Sequence, residues 1–171
     1  MKKAKSSPKK QGAMNQRLFY CKSWFRAKKR PTEIWTEQRA RSAHAARLLY
    51  TAVVGSNENP SCFLEVNDKF VGVGFLDDKL RESLYYSFKE VEPGSLFLSM
   101  ATYREFQGDS DTVASGTTYI FEQSGAVKIQ KQFFNPHRVE VTDSTIDVTA
   151  NYARRPEFGE YDDLVKVERG T

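Results

Sequence analysis

The apolar residues of this chain change their spacing once. Up to Gly55 they recur at helical intervals, and from Ser61 onward they alternate with polar residues between turn signals placed roughly every ten residues. Ahead of both, Arg17 to Phe25 holds Leu18, Phe19, Tyr20, Trp24 and Phe25, enough β-forming and aromatic residues for a strand, and is ended by the cationic run Arg26-Ala27-Lys28-Lys29-Arg30 and Pro31. The spacing then predicts one principal helix over residues 33–54. Thr32 would cap it, Glu33 and Glu37 would sit near its positive end, and Gly55 would close it. Ile34, Trp35, Ala45, Leu48, Leu49, Ala52 and Val53 gather on one side of that helix, which is expected to lay Trp35, Leu48, Leu49 and Val53 on a sheet; Arg39, Arg41, His44 and Arg47 lie outside the stripe.

The alternating part reads as antiparallel sheet. Strands are expected at residues 61–66 and 69–76 around the turn Asn67-Asp68, then at 81–91, 96–106, 112–122 and 126–134. Leu84, Tyr86 and Phe88 share a face, and so do Leu96, Leu98 and Met100. A last hairpin would carry Val139 and Val141 on one strand and Ile146 and Val148 on the next, turning at Asp143-Ser144, and Tyr161 to Glu168 would form an edge strand. The expected fold class is therefore α+β: one principal N-terminal helix packed on a meandering, mostly antiparallel sheet of about eight strands.

Composition fits a folded domain. Of 171 residues 39% are hydrophobic and the mean hydropathy is −0.61, apolar enough for a core and too polar for a membrane-spanning helix. The net charge of +4 is unevenly spread. Residues 1–30 contain eleven Lys and Arg and no acid, which leaves 15 basic against 22 acidic residues, a net of −7, for residues 31–171. Residues 1–15, rich in Lys, Ser and Gln, read as a basic flexible arm, and residues 16–171 as one α+β domain. The stretch after Lys2-Lys3 lacks the apolar core of a signal peptide, and two cysteines make no disulfide framework, so a cytoplasmic location with reduced, buried thiols is expected.

Few groups promise chemistry. Cys21 with His44 or His137 is a weak nucleophile–base pairing, because Cys21 lies in an expected strand and His44 on the basic side of the expected helix. The chain has no Gly-x-Ser-x-Gly, no phosphate-binding Gly-x-x-x-x-Gly-Lys and no Gly-x-Gly-x-x-Gly; Gly72-Val73-Gly74 reads as close packing within a strand. The carboxylate pairs Asp77-Asp78, Asp109/Asp111 and Asp162-Asp163 fall in turns, and the cysteines and histidines lack zinc spacing, so neither a metal nor a cofactor is expected. Arg81-Glu82 and Arg104-Glu105 should pair across neighbouring strands.

These features favour a non-catalytic protein-binding domain, an inhibitor or immunity-type protein whose acidic body meets a basic partner such as a toxin or nuclease. Aromatic side chains would supply anchors and the acidic rim would speed encounter. The expected contact residues are Asp109, Asp111, Glu157, Glu160, Asp162 and Asp163. A second reading is nucleic-acid association through the arm and its flank, with Lys2, Lys3, Lys5, Lys9, Lys10, Lys28, Lys29 and Arg30 on phosphates. A third is a small apolar-ligand carrier with a pocket lined by Phe70, Phe75, Leu84, Leu98 and Tyr119.

Overall fold

The computed structural model describes residues 16–169. Eleven strands form one antiparallel sheet: β1 (Leu18–Phe25), β2 (Arg30–Trp35), β3 (Tyr50–Val54), β4 (Cys62–Val66), β5 (Phe70–Leu76), β6 (Glu82–Glu92), β7 (Ser95–Phe106), β8 (Val113–Phe121), β9 (Ala126–Phe134), β10 (His137–Thr145) and β11 (Tyr152–Arg154). Their order is β10-β9-β8-β7-β6-β5-β4-β3-β1-β2, with β11 on the N-terminal end of β7. From β3 to β10 every strand pairs with the next in sequence, as short turns dictate. The exception is β1, which lies between β2 and β3, so the connection from β2 to β3 passes over it and carries α1 (Glu37–Ala45), the one α-helix among the described residues. Among the described residues no helix is long and apolar enough to cross a membrane.

The expected α+β class, one principal helix on a sheet of about eight strands, is overturned: the described residues form an eleven-stranded antiparallel sheet with one short helix. About 55% of the described residues are strand and 10% helical, and the interval 33–54 is divided among the end of β2, the nine-residue α1, a loop and β3. Local chemistry explains the division. Pro31 offers no N–H to a helix, and Thr32, Ile34 and Trp35 prefer extended backbone; Thr51, Val53 and Val54 do the same for β3. The cap is Thr36, whose hydroxyl accepts the Arg39 N–H at 3.2 Å, in place of Thr32. Arg47, at φ 54°, ends the helical path well before Gly55. Of the four side chains expected on the sheet, Leu48 and Leu49 are 62% and 54% exposed, Trp35 is half-buried at the edge of the main core, and Val53 is buried from within β3.

Three smaller expectations also change. Asp143-Ser144 lies inside β10, which runs unbroken to Thr145, and the hairpin turn is Asn135-Pro136. Residues 161–168 form turns and not an edge strand. A bulge at Ser99 shifts the β7 register between Leu98 and Met100, so Ala101 and not Met100 joins Leu96 and Leu98 on the buried face.

The sheet is covered on both faces over β1, β3 to β6 and the first half of β7. On the inner face Tyr20, Ala52, Leu64, Val73, Leu84, Tyr86, Phe88 and Leu98 pack against Ala40 and Ala43 of α1 and against Phe158, Tyr161 and Leu164 of the C-terminal segment. The outer face holds a smaller cluster of Cys21, Trp24, Val53 and Phe63. The two cysteines are both buried and free, but they fall in opposite clusters. Burial pushes each thiol up to about 11. The glycines of β5 serve this outer layer. A Cβ on Gly74 would stand 2.3 Å from the Phe63 ring, its direct neighbour on β4, and one on Gly72 would stand 1.8 Å from the Tyr85 hydroxyl. Close packing of rings against bare backbone therefore accounts for the Gly-x-Gly.

Candidate functional site

The densest polar cluster lies on the outer face. It begins with a 3-10 turn, Arg26–Lys28, that carries the cationic run back over the sheet. Arg26 sits over the rings of Phe63 and Tyr85, at 5.0 and 5.6 Å from their centres, and reaches two glutamates. Its Nη1 lies 3.0 Å from Glu65 Oε1, and its Nε donates to Glu82 Oε2 at 2.6 Å. Arg104 donates to Glu82 Oε1 at 2.8 Å, and the Tyr85 hydroxyl donates to Glu65 Oε2 at 2.8 Å. A bulge at Ser83 makes this possible, because it turns Glu82 to the outer face while Leu84 stays inside. Arg104 thus pairs with Glu82 across β6 and β7, whereas Arg81 binds Asp77 and the carbonyls of Gly108 and Ser110.

Every carboxylate oxygen of the cluster has a partner. Burial works against the Arg26 charge, yet Glu82 and Glu65 outweigh it and hold the guanidinium pKa above its usual value. Burial and the Glu65 carboxylate together push the Tyr85 hydroxyl far above the phenol range. Such a group fastens the 3-10 turn to the sheet through Glu65 and Glu82. A depression of about 360 Å³ adjoins it, lined by Trp24, Lys29, Leu80, Glu82, Arg104 and Phe106 among others.

A second network lies under the C-terminal segment. His44 Nδ1 is 2.9 Å from the Tyr50 hydroxyl, which is 2.8 Å from that of Tyr161. Burial pushes Tyr50 up to about 12 and Tyr161 beyond the phenol range, the latter helped by Tyr50 beside it. Burial, then the charge of Arg155, lowers the His44 pKa. These hydroxyls satisfy one another where water is excluded. Around them Arg155 donates to the Asp68 and Asn67 carbonyls, both at 2.8 Å, and Tyr86 donates to the Val167 carbonyl. The segment therefore occupies the inner face, where Phe75, Leu84 and Leu98, expected around a carrier's ligand, are packed into the core. Cys21 belongs to the outer-face cluster whereas His44 contacts Tyr50 of the inner one, so that pairing does not form.

The expected protein-contact residues divide into two groups. Asp109 and Asp111 are in the β7–β8 loop, where Lys79 and Lys29 neutralise them at 3.4 and 2.7 Å. Glu157, Glu160, Asp162 and Asp163 are in the C-terminal segment; the last three line a separate depression of about 470 Å³ with Gln16, Leu18 and Val165. Asp163 is paired with Lys166 at 2.9 Å. Of the expected nucleic-acid residues, Lys2, Lys3, Lys5, Lys9 and Lys10 lie outside the described residues. Lys28 and Arg30 are exposed beside β1, and Lys29 is held by Asp111.

This placement alters the charge picture. Six of the eleven N-terminal basic residues, Arg17 to Arg30, belong to the sheet region, so residues 16–171 carry 21 basic and 22 acidic residues, a net of −1. The strongly acidic body exists only if β1 and its turn are left out.

What sequence reasoning missed is the far end of the sheet. All nine residues of β10 are exposed, and β9 is its only partner strand among the described residues. Pairing across β7 to β10 places Ile120, Phe134, Val139 and Val141 on one face, at 41, 47, 43 and 55% exposure. Between them Gly116, Thr118, Gln130 and Gln132 floor a depression of about 220 Å³. The signal was present in the alternation of His-Arg-Val-Glu-Val-Thr. The Asp-Ser pair that follows it imitated a turn. No family model, no curated protein and no solved structure matches this chain.

Proposed function

We propose that this chain is a non-catalytic protein-binding module whose docking site is the wing formed by β8, β9 and β10. The observation that supports it is the fully exposed edge strand β10 beside a face carrying four exposed apolar side chains. A free edge offers a row of unpaired backbone N–H and C=O groups, which chains normally block with charge, proline or a covering loop. Along β10 the face of Val139 and Val141 has no proline, and its one charged residue, Asp143, is neutralised by Lys128 of β9 at 3.6 Å. Strand addition is the recognition mode that suits such an edge: backbone pairing supplies affinity and alternate side chains supply specificity. The partner that fits is an extended polypeptide segment whose apolar side chains continue the row of Phe134, Val139 and Val141. The acidic loops contribute less on this reading, since Asp109, Asp111 and Asp163 are paired within the chain.

The test is capture from the native host with the full chain and with Val141→Lys, followed by hydrogen exchange on the captured complex. The expected result is a protein retained by the wild type, lost with the variant, and slowing exchange at β10 amides. Capture that ignores Val141→Lys, or protection confined to the acidic loops, overturns the reading.

A further inference from the structure

We infer that the segment received by β10 is β10 of a second copy of this chain, so that two sheets join edge to edge about a twofold axis normal to the sheet. The inference rests on the reading of β10 as a partner-accepting edge and goes further by naming the partner.

The register follows from parity and charge. Such an axis keeps like faces together, so a residue can oppose only a residue of its own face, and the sum of the two numbers is even. A pairing centred on Glu140 sets two glutamates against each other and is disfavoured. Centred on Val139, only residues 137–141 pair before the turn at Asn135-Pro136 ends the strand. Centred on Val141, all nine residues from His137 to Thr145 pair. That register places Val141 on Val141, Glu140 opposite Thr142 of the second copy and Arg138 opposite its Ser144. No like charges face each other. Glu140 and Arg138, already 3.2 Å apart in each copy, lie on the face away from the valines. The joined sheet would bring the two patches of Ile120, Phe134, Val139 and Val141 side by side across the axis. The edge groups would all be paired, which removes the hazard of an open strand.

The experiment uses the full chain. Light scattering should give a mass near twice 19.6 kDa, falling to a single copy for Val141→Lys with an unchanged circular dichroism spectrum. Opposed residues in an antiparallel pair have Cα atoms about 4.5–5.5 Å apart, within disulfide reach. Val141→Cys should therefore cross-link into a covalent dimer on mild oxidation while Val139→Cys, which faces Asp143 of the second copy, should not. Both native thiols are buried and stay out of the reaction. A single-copy mass up to about 100 µM, the range of weak specific complexes, overturns the inference. So does a dimer that survives Val141→Lys. If a monomeric chain still captures another protein through β10, the second copy is excluded and the partner-accepting edge stands.

Discussion

Strands β4 to β6 and strands β8 to β10 belong to one sheet and share the same alternation of apolar and polar residues, yet they fare differently. In the first group the C-terminal segment covers the inner face and Trp24 and Arg26 cover the outer one, so Phe63, Leu64, Val71 and Val73 lose all contact with solvent. In the second group cover fails strand by strand: β8 is mostly half-buried, β9 keeps Val127 inside, and β10 has nothing over either face. Alternation therefore specifies which residues share a face. Whether that face is buried depends on what the rest of the chain lays upon it, and a wing left bare by its own chain has apolar area to offer a partner.

The sharpest test of this contrast is truncation in the covered region. Leu64→Ala should cost about 2–5 kcal/mol in denaturant melts, the usual range for a leucine with no room to relax around the cavity. A silent Leu64→Ala would place β4 outside the core. Gly74→Ala comes next, at about 1–3 kcal/mol, because its methyl group meets a Phe63 ring already stacked on Trp24 at 5.8 Å and unable to yield.

Alkaline pH should also act on the covered region. Cys21 and Cys62, pushed up to about 11, and Tyr50, pushed up to about 12, keep their protons longer in the fold than in the unfolded chain. Unfolded thiols ionise near pH ~8.5 and phenols near ~10. Their contribution is thus complete below about pH 8.5 and is lost as pH rises through 11 and 12. Denaturant midpoints that stay level from pH 8 to 11.5 would refute the burial of these groups. At pH 8 the same two thiols should react with a thiol reagent only as fast as the protein unfolds.

The smallest effects belong to exposed side chains. Val139→Thr on β10 and Leu48→Ala after α1 should each leave stability within about 0.5 kcal/mol in the same melts. A larger loss at Val139 in the single-copy Val141→Lys background would mean that the chain itself covers the wing.

Much of the sheet was legible in the sequence. Gly, Asn, Asp and Pro marked its turns, and period-two patterns put β1 and β4 to β9 within a residue or two of their observed limits. The N-terminal helix was misread because Ile34, Trp35, Leu48, Leu49 and Val53 fall at helical spacing by coincidence: they come from two strands and a loop, and only Glu37 to Ala45 has both the cap and the composition of a helix. Site residues fared worse for a similar reason. Counting charge along the chain joined Arg26 and Lys29 to the arm, although folding carries them to Glu65, Glu82 and Asp111, up to 82 residues away.

The sequence by itself determined the turns from Asn67 to Pro136, the succession of strands β4 to β9, and which side chains share a face wherever no bulge intervenes, since each depends on neighbours a few residues apart. Only the tertiary structure decided that β1 inserts between β2 and β3, that the bulges at Ser83 and Ser99 turn Glu82 outward and Ala101 inward, and that residues 155–169 fill one face and leave β10 bare. Those outcomes depend on contacts between segments far apart in the chain, and local pattern does not encode which distant surface will cover a given face.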